Sequence, residues 1–238
     1  MTSRIRLTYS QTASAGPHEG RLAGAWTRAF EAAGLSLARS DGGRRGHIEL
    51  GPPLPAGISG EREVLDVWLA SAGEADTVWQ RVAPHAPDGA VPLCSEELGD
   101  RLPSLAMLVR AAHYLVCWPA DGAREAGGEA VRPPMLRERV AALLSHPTLE
   151  WEEHRGERIR TFDLRAMVRR LEVVEPGSGD ATCLAMQLVL THDRTMRPAS
   201  LLAALGIDAS PASIIRTAIE VDHPRLALRA WREWGRFQ

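Results

Sequence analysis

The hydrophobic period changes near the start of the chain, and this limits the possible folds more than any other feature. Along Arg4-Ile5-Arg6-Leu7-Thr8-Tyr9-Ser10, the residues Ile5, Leu7 and Tyr9 alternate with Arg4, Arg6 and Thr8, the pattern of a half-buried strand. After Gly16-Pro17 the repeat becomes helical. Leu22, Ala25, Trp26, Ala29, Phe30 and Ala33 form one apolar stripe, and Gly34 supplies the stop. The Gly- and Arg-rich loop Asp41-Gly42-Gly43-Arg44-Arg45-Gly46 leads to a short strand at 47–50. Prolines at 52, 53 and 55 exclude a helix or inner strand there. A strand at 63–70, a helix at 74–83 and a strand at 90–95 complete the order β-α-β-β-α-β, the ferredoxin-like split βαβ arrangement.

The second half repeats that order less clearly. A strand is expected at 111–118 and a surface loop at 120–128. A helix opens at Pro133-Pro134, carries Leu136, Val140, Leu143 and Leu144, and stops at Ser145-His146-Pro147. Strands fit 148–153, 158–161, 168–175, 182–191 and 213–221, with a helix from Pro198 to Gly206. The segment from Asp222 reads as an amphipathic helix, with Arg225, Arg229, Arg232 and Arg236 on one side and Leu226, Leu228, Trp231, Trp234 and Phe237 on the other. The expected fold is therefore α+β: two ferredoxin-like halves, 1–100 and 101–222, followed by a C-terminal helix at 223–238.

Composition narrows the chemistry. The 28 basic residues are all Arg, against 30 acidic residues and a net charge of −2. Without Lys, Schiff-base and lysine-base mechanisms are excluded, and an all-Arg set suits bidentate pairing with carboxylates and phosphates. The charge is uneven: residues 61–100 hold nine acids against two bases, whereas residues 1–50 hold seven Arg against four acids. No apolar run approaches the roughly 18 residues of a membrane helix, and the start lacks a signal-type block, so a cytoplasmic protein with no membrane partner is expected. Cys94, Cys117 and Cys183 occur singly, without zinc-knuckle or iron–sulfur spacing; Cys117 and Cys183 fall in apolar strand-like runs and read as buried core thiols. No metal site or cofactor is indicated.

Short segments in order along the chain carry a family resemblance. They are Thr8-Tyr9, the stretch Arg28-Ala29-Phe30-Glu31-Ala32-Ala33-Gly34-Leu35, Ser40-Asp41-Gly42, Pro53-Leu54-Pro55-Ala56-Gly57-Ile58 and Leu65-Asp66-Val67. Pro103-Ser104-Leu105, Ala112-His113-Tyr114, Asp163-Leu164-Arg165, Met196-Arg197-Pro198 and Arg216-Thr217-Ala218 continue the series. In this order the chain resembles the radical-SAM-associated protein family, a family of unknown function found alone or fused behind radical S-adenosylmethionine enzymes. Two motifs depart from it. Pro17-His18-Glu19-Gly20 stands where the family has Ser-His-Leu-Asp, and Gly43-Arg44-Arg45-Gly46 stands where it continues Phe-Asn-Pro-His-Pro.

The candidate residues follow from these readings. His18 and His47 are the catalytic candidates, since imidazoles can shuttle protons at a phosphate ester; the simpler reading is exposed or structural histidine. Arg44 and Arg45, in a glycine loop, suit a phosphate cradle, and Arg4 and Arg6, expected on the outward face of the first strand, would extend it. Stacking aromatics are missing from this surface, because Tyr9 faces inward. Asp163, Arg165, Arg197 and Arg216 could meet at an anionic ligand or staple the second half together. No nucleophile constellation, P-loop or dinucleotide fingerprint is present. The expected function is a non-catalytic RNA-binding or adaptor protein. It would work beside a radical S-adenosylmethionine enzyme on another chain, in RNA or translation-related modification. The alternatives are a metal-independent endoribonuclease using His18 and His47, and a protein–protein module using the acidic 61–100 segment.

Overall fold

A computed structural model describes residues 2–13, 19–38, 47–71, 75–99, 102–119, 123–125, 128–156, 158–174, 182–210 and 212–222. Among them are thirteen strands and five α-helices, a mixed α+β architecture built mostly on sheet. They divide into two compact units, one running to Val109 and taking in Val221 and Asp222, the other from Arg110 to Glu220. No helix among the described residues is long and apolar enough to cross a membrane.

The first unit contains β1 (Ser3–Gln11), α1 (Glu19–Ala32), β2 (Ile48–Leu50), β3 (Ser59–Leu69), α2 (Val78–Val82), β4 (Ala90–Leu98) and a short α3 (Leu105–Leu108). Its strands lie in the order β4-β1-β3-β2, and each neighbouring pair is antiparallel. One face carries the apolar set that the period of two selects. Ile5, Leu7 and Tyr9 of β1 and Leu65, Val67 and Leu69 of β3 pack with Trp26, Ala29 and Phe30 of α1. Tyr9 meets the Trp26 ring edge-on, with centroids 5.0 Å apart. α1 ends where Gly34 adopts φ +70°, a conformation that favours glycine.

The second unit contains β5 (Val109–Trp118), β6 (Ala123–Glu125), β7 (Ala130–Val131), α4 (Pro133–Ser145), β8 (Glu150–Arg155), β9 (Arg158–Asp163), β10 (Val168–Val174), β11 (Thr182–Val189), α5 (Pro198–Ala204), β12 (Ile207–Asp208) and β13 (Ser213–Val221). Its principal strands lie in the order β13-β5-β11-β10. α4 buries Leu136, Val140 and Leu143, and α5 buries Leu201 and Leu202. A separate hairpin, β8–β9, follows α4 and precedes β10 in the sequence.

Three expectations are corrected. The 120–128 segment is not all loop, because β6 pairs with both β7 and β12. The first strand is not half-buried: every residue from Ser3 to Leu7 is buried. Cys117 and Cys183 are not thiols but a disulfide, because β5 and β11 set them directly opposite each other. The expected C-terminal helix at 223–238 lies outside the described residues, as do His18, Arg44 and Arg45.

Candidate functional site

The face of the first unit's sheet opposite α1 is polar. Strand register builds one row across it, Glu49 of β2, Asp66 of β3, Arg6 of β1 and Glu96 of β4. In the next row, Arg4 pairs with Trp68 and Leu98, and the Trp68 N–H donates to the His47 carbonyl at 3.1 Å. Sequence alternation placed Arg4 and Arg6 on an outward face. The structure leaves them only 2% and 1% exposed, around an Asp66 that is 0% exposed.

Charge pairing makes that burial possible. Arg6 donates from Nε to Asp66 Oδ1 at 2.7 Å and from Nη2 to Oδ2 at 2.8 Å. Arg4 donates to the same Oδ2 from Nε at 3.1 Å and Nη2 at 2.7 Å, and from Nη1 to the Leu102 carbonyl at 2.8 Å. Glu49 adds a second carboxylate 4.0 Å from Arg4 Nη2, and its Oε2 accepts the Leu105 N–H at 2.8 Å. The segment carrying Leu102 and Leu105 is thereby tied onto this face. These two arginines are structural ion-pair partners of Asp66 rather than an exposed phosphate surface.

The surface itself is formed by His47 and Trp68. Their rings are stacked at 3.8 Å with an interplanar angle of 5°. The Arg4 guanidinium lies 4.7 Å from the centre of the same Trp68 ring. His47 Nε2 is 3.7 Å from Glu49 Oε1, and the imidazole side chain is 35% exposed. His47 follows directly on the Gly42–Gly46 loop in the sequence. The stacking aromatic missing from the sequence reading is therefore Trp68. Its signal was present: a single acid, Asp66, interrupts the apolar run Val64-Leu65-Asp66-Val67-Trp68, which is unlike either face of a solvated strand.

The four candidates of the second unit have separate positions. Asp163 Oδ1 accepts the N–H groups of Leu149 at 2.9 Å, Arg165 at 3.0 Å and Ala166 at 3.4 Å. The Leu149 bond, followed by those from Ala166 and Arg165, holds the Asp163 carboxyl below the usual carboxylate range. Arg165 donates to the carbonyls of Leu144 and Val168, so both residues fasten their own turn. Arg197 is exposed at the N-cap of α5, and Arg216 is buried on β13. Thr191 to Arg194 form a turn closed by the Thr191 N–H on the Arg194 carbonyl at 2.7 Å.

A further cluster in the second unit escaped the sequence reading. Glu220 accepts from Arg169 Nη1 at 2.9 Å and Gln187 Nε2 at 2.5 Å, and lies 3.7 Å from His113 Nε2. His113, then Gln187 and the Arg169 charge, lower its carboxyl to about 2 against the opposing effect of burial. Among the described residues, no group of three His, Cys, Asp or Glu side chains is arranged to hold a metal ion.

A family model described as an uncharacterized protein conserved in bacteria (DUF2344) matches residues 20–198. No curated protein matches the chain.

Proposed function

The chain belongs to the DUF2344 family of conserved bacterial proteins, and from the His47–Trp68 stack we propose that it is a non-catalytic RNA-binding protein. It acts in the cytoplasm as an adaptor beside a radical S-adenosylmethionine enzyme carried on another chain, in RNA or translation-related modification. The association with that enzyme follows from the family resemblance of the sequence. Each unit is read as a ferredoxin-like half. The orders β4-β1-β3-β2 and β13-β5-β11-β10 support this, since in both the first strand occupies the second position and helices connect the outer crossings.

The stack carries the reading. Single-stranded RNA is held by bases laid on aromatic or guanidinium planes beside positive groups that track the backbone. The exposed side of His47 offers such a plane, backed by Trp68 and Arg4. Arg44 and Arg45, three and two residues before it in sequence, supply phosphate partners. A hydrolytic role for His47 has less support, because the ring is committed to the Trp68 face and to Glu49.

The test is binding of labelled bulk small RNA to the purified protein across a salt series. The wild type is expected to bind at low salt with a steep dependence, and His47→Ala to bind roughly 5- to 100-fold more weakly, the loss of one stacked base. No binding at low salt overturns the RNA reading. In that case a protein partner recruited by the acidic 61–100 segment becomes the working answer, where Glu61, Asp76, Asp88 and Glu97 are exposed.

A further inference from the structure

Cys117 and Cys183 are 66 residues apart in sequence, yet the β5–β11 register places them directly opposite each other, with Cα atoms 4.1 Å apart. The ladder continues on both sides, with Trp118 opposite Thr182 and Val116 opposite Leu184. The sheet therefore keeps the two sulfurs within bonding reach whether or not the bond exists, and opening it requires no separation of strands. The two sulfurs differ in access. Cys183 is 1% exposed, whereas Cys117 is partly exposed, so an incoming thiolate reaches Cys117 first. The remaining cysteine, Cys94, belongs to β4 of the first unit and is a free thiol.

We propose that Cys117 and Cys183 are a reversible dithiol–disulfide switch that locks the β5–β11 pair of the second unit. A thiolate of an external dithiol attacks Cys117 Sγ, the sulfur–sulfur bond breaks, and Cys183 leaves as a thiolate that takes up a proton. The second thiolate of the reductant then attacks the mixed disulfide and releases Cys117 as a thiolate, which is protonated in turn. Two electrons pass to the protein, and the reductant departs as a cyclic disulfide. Closing is the reverse exchange with a disulfide of the same class. Because the link closes a long loop containing α4, β8, β9 and β10, its state sets the stability of the second unit. This switch does not depend on the RNA reading.

The experiment uses the full chain carrying Cys94→Ser, purified without reductant. Mass spectrometry of the intact protein reads whether two hydrogens are missing, and peptide mapping reads whether Cys117 and Cys183 are joined. Dithiothreitol in native buffer is expected to open the bond completely without loss of the circular dichroism spectrum. The melting temperature should fall by at least about 5 °C, and oxidised glutathione should restore both mass and melting temperature. Two free thiols in the air-equilibrated protein overturn the proposal. A joined pair that dithiothreitol opens only in denaturant also overturns it, leaving a fixed cross-link. RNA binding is measured on the same samples, so the two readings fail separately.

Discussion

Arg6 grips Asp66 through both carboxylate oxygens, Nε to Oδ1 at 2.7 Å and Nη2 to Oδ2 at 2.8 Å, from the adjacent strand and in register. With Arg4 on the same Oδ2, one carboxylate serves two buried guanidinium groups. This arrangement fixes what the polar face can do. Its deepest charges are neutralised internally, and the side chain this face leaves partly exposed beside them is His47.

Removing Asp66 leaves two buried cations without their shared partner. Asp66→Ala is expected to destabilise the protein by about 3–5 kcal/mol, the cost of breaking a buried pair from one side. Urea unfolding followed by circular dichroism measures this. A loss below about 1 kcal/mol would mean that both guanidinium groups reach water once freed.

The apolar face gives a companion expectation of different origin. Trp26 is fully buried between Tyr9 and Phe30. Trp26→Ala should cost about 3–5 kcal/mol through lost transfer energy and the cavity left behind. Unlike the Asp66 effect, this loss should be insensitive to salt, which separates the two in urea titrations at low and high ionic strength.

Glu220 sets a pH dependence. Its carboxyl is lowered to about 2 in the folded chain by His113, Gln187 and Arg169, from an ordinary value of 4.5. A depressed folded pKa stabilises above the unfolded value, and that stabilisation is lost as pH falls through the folded one. Stability should therefore decline between pH 4.5 and about 2, by about 1 kcal/mol once solvent screening of this partly exposed group is allowed for. Glu220→Gln should flatten that limb of the stability–pH curve. An unchanged limb would mean that other carboxylates carry it.

Much of the architecture was legible because local pattern and tertiary demand agree. Pro198 opens α5 and Ser213–Val221 is β13, both as read from the sequence. The misreadings share a cause, since each concerns partners that only sheet order brings together. Alternating Arg4 and Arg6 look like a solvent face until Asp66, some 60 residues away, lies between them. Cys117 and Cys183 look like isolated core thiols until β11 pairs with β5. Trp68 reads as one more apolar residue until His47, the residue before β2, lies alongside it.

Stacking and phosphate contacts leave different marks on a salt titration, and this separates the proposed roles of His47 and of Arg44 and Arg45. Each arginine–phosphate contact releases counterions and contributes about 0.7 to the log–log slope for a single strand. The double change Arg44→Ala/Arg45→Ala should therefore lower the slope by roughly 1.4 and weaken binding most at low salt. A base stacked on His47 releases almost no counterions. His47→Ala should thus weaken binding by a similar factor at every salt concentration and leave the slope unchanged. Because Arg4 is held by Asp66 and the Leu102 carbonyl, it should contribute nothing to the slope of the wild type. If His47→Ala lowers the slope as the arginine changes do, the imidazole binds as a cation at a phosphate, and the stacking geometry with Trp68 is only structural.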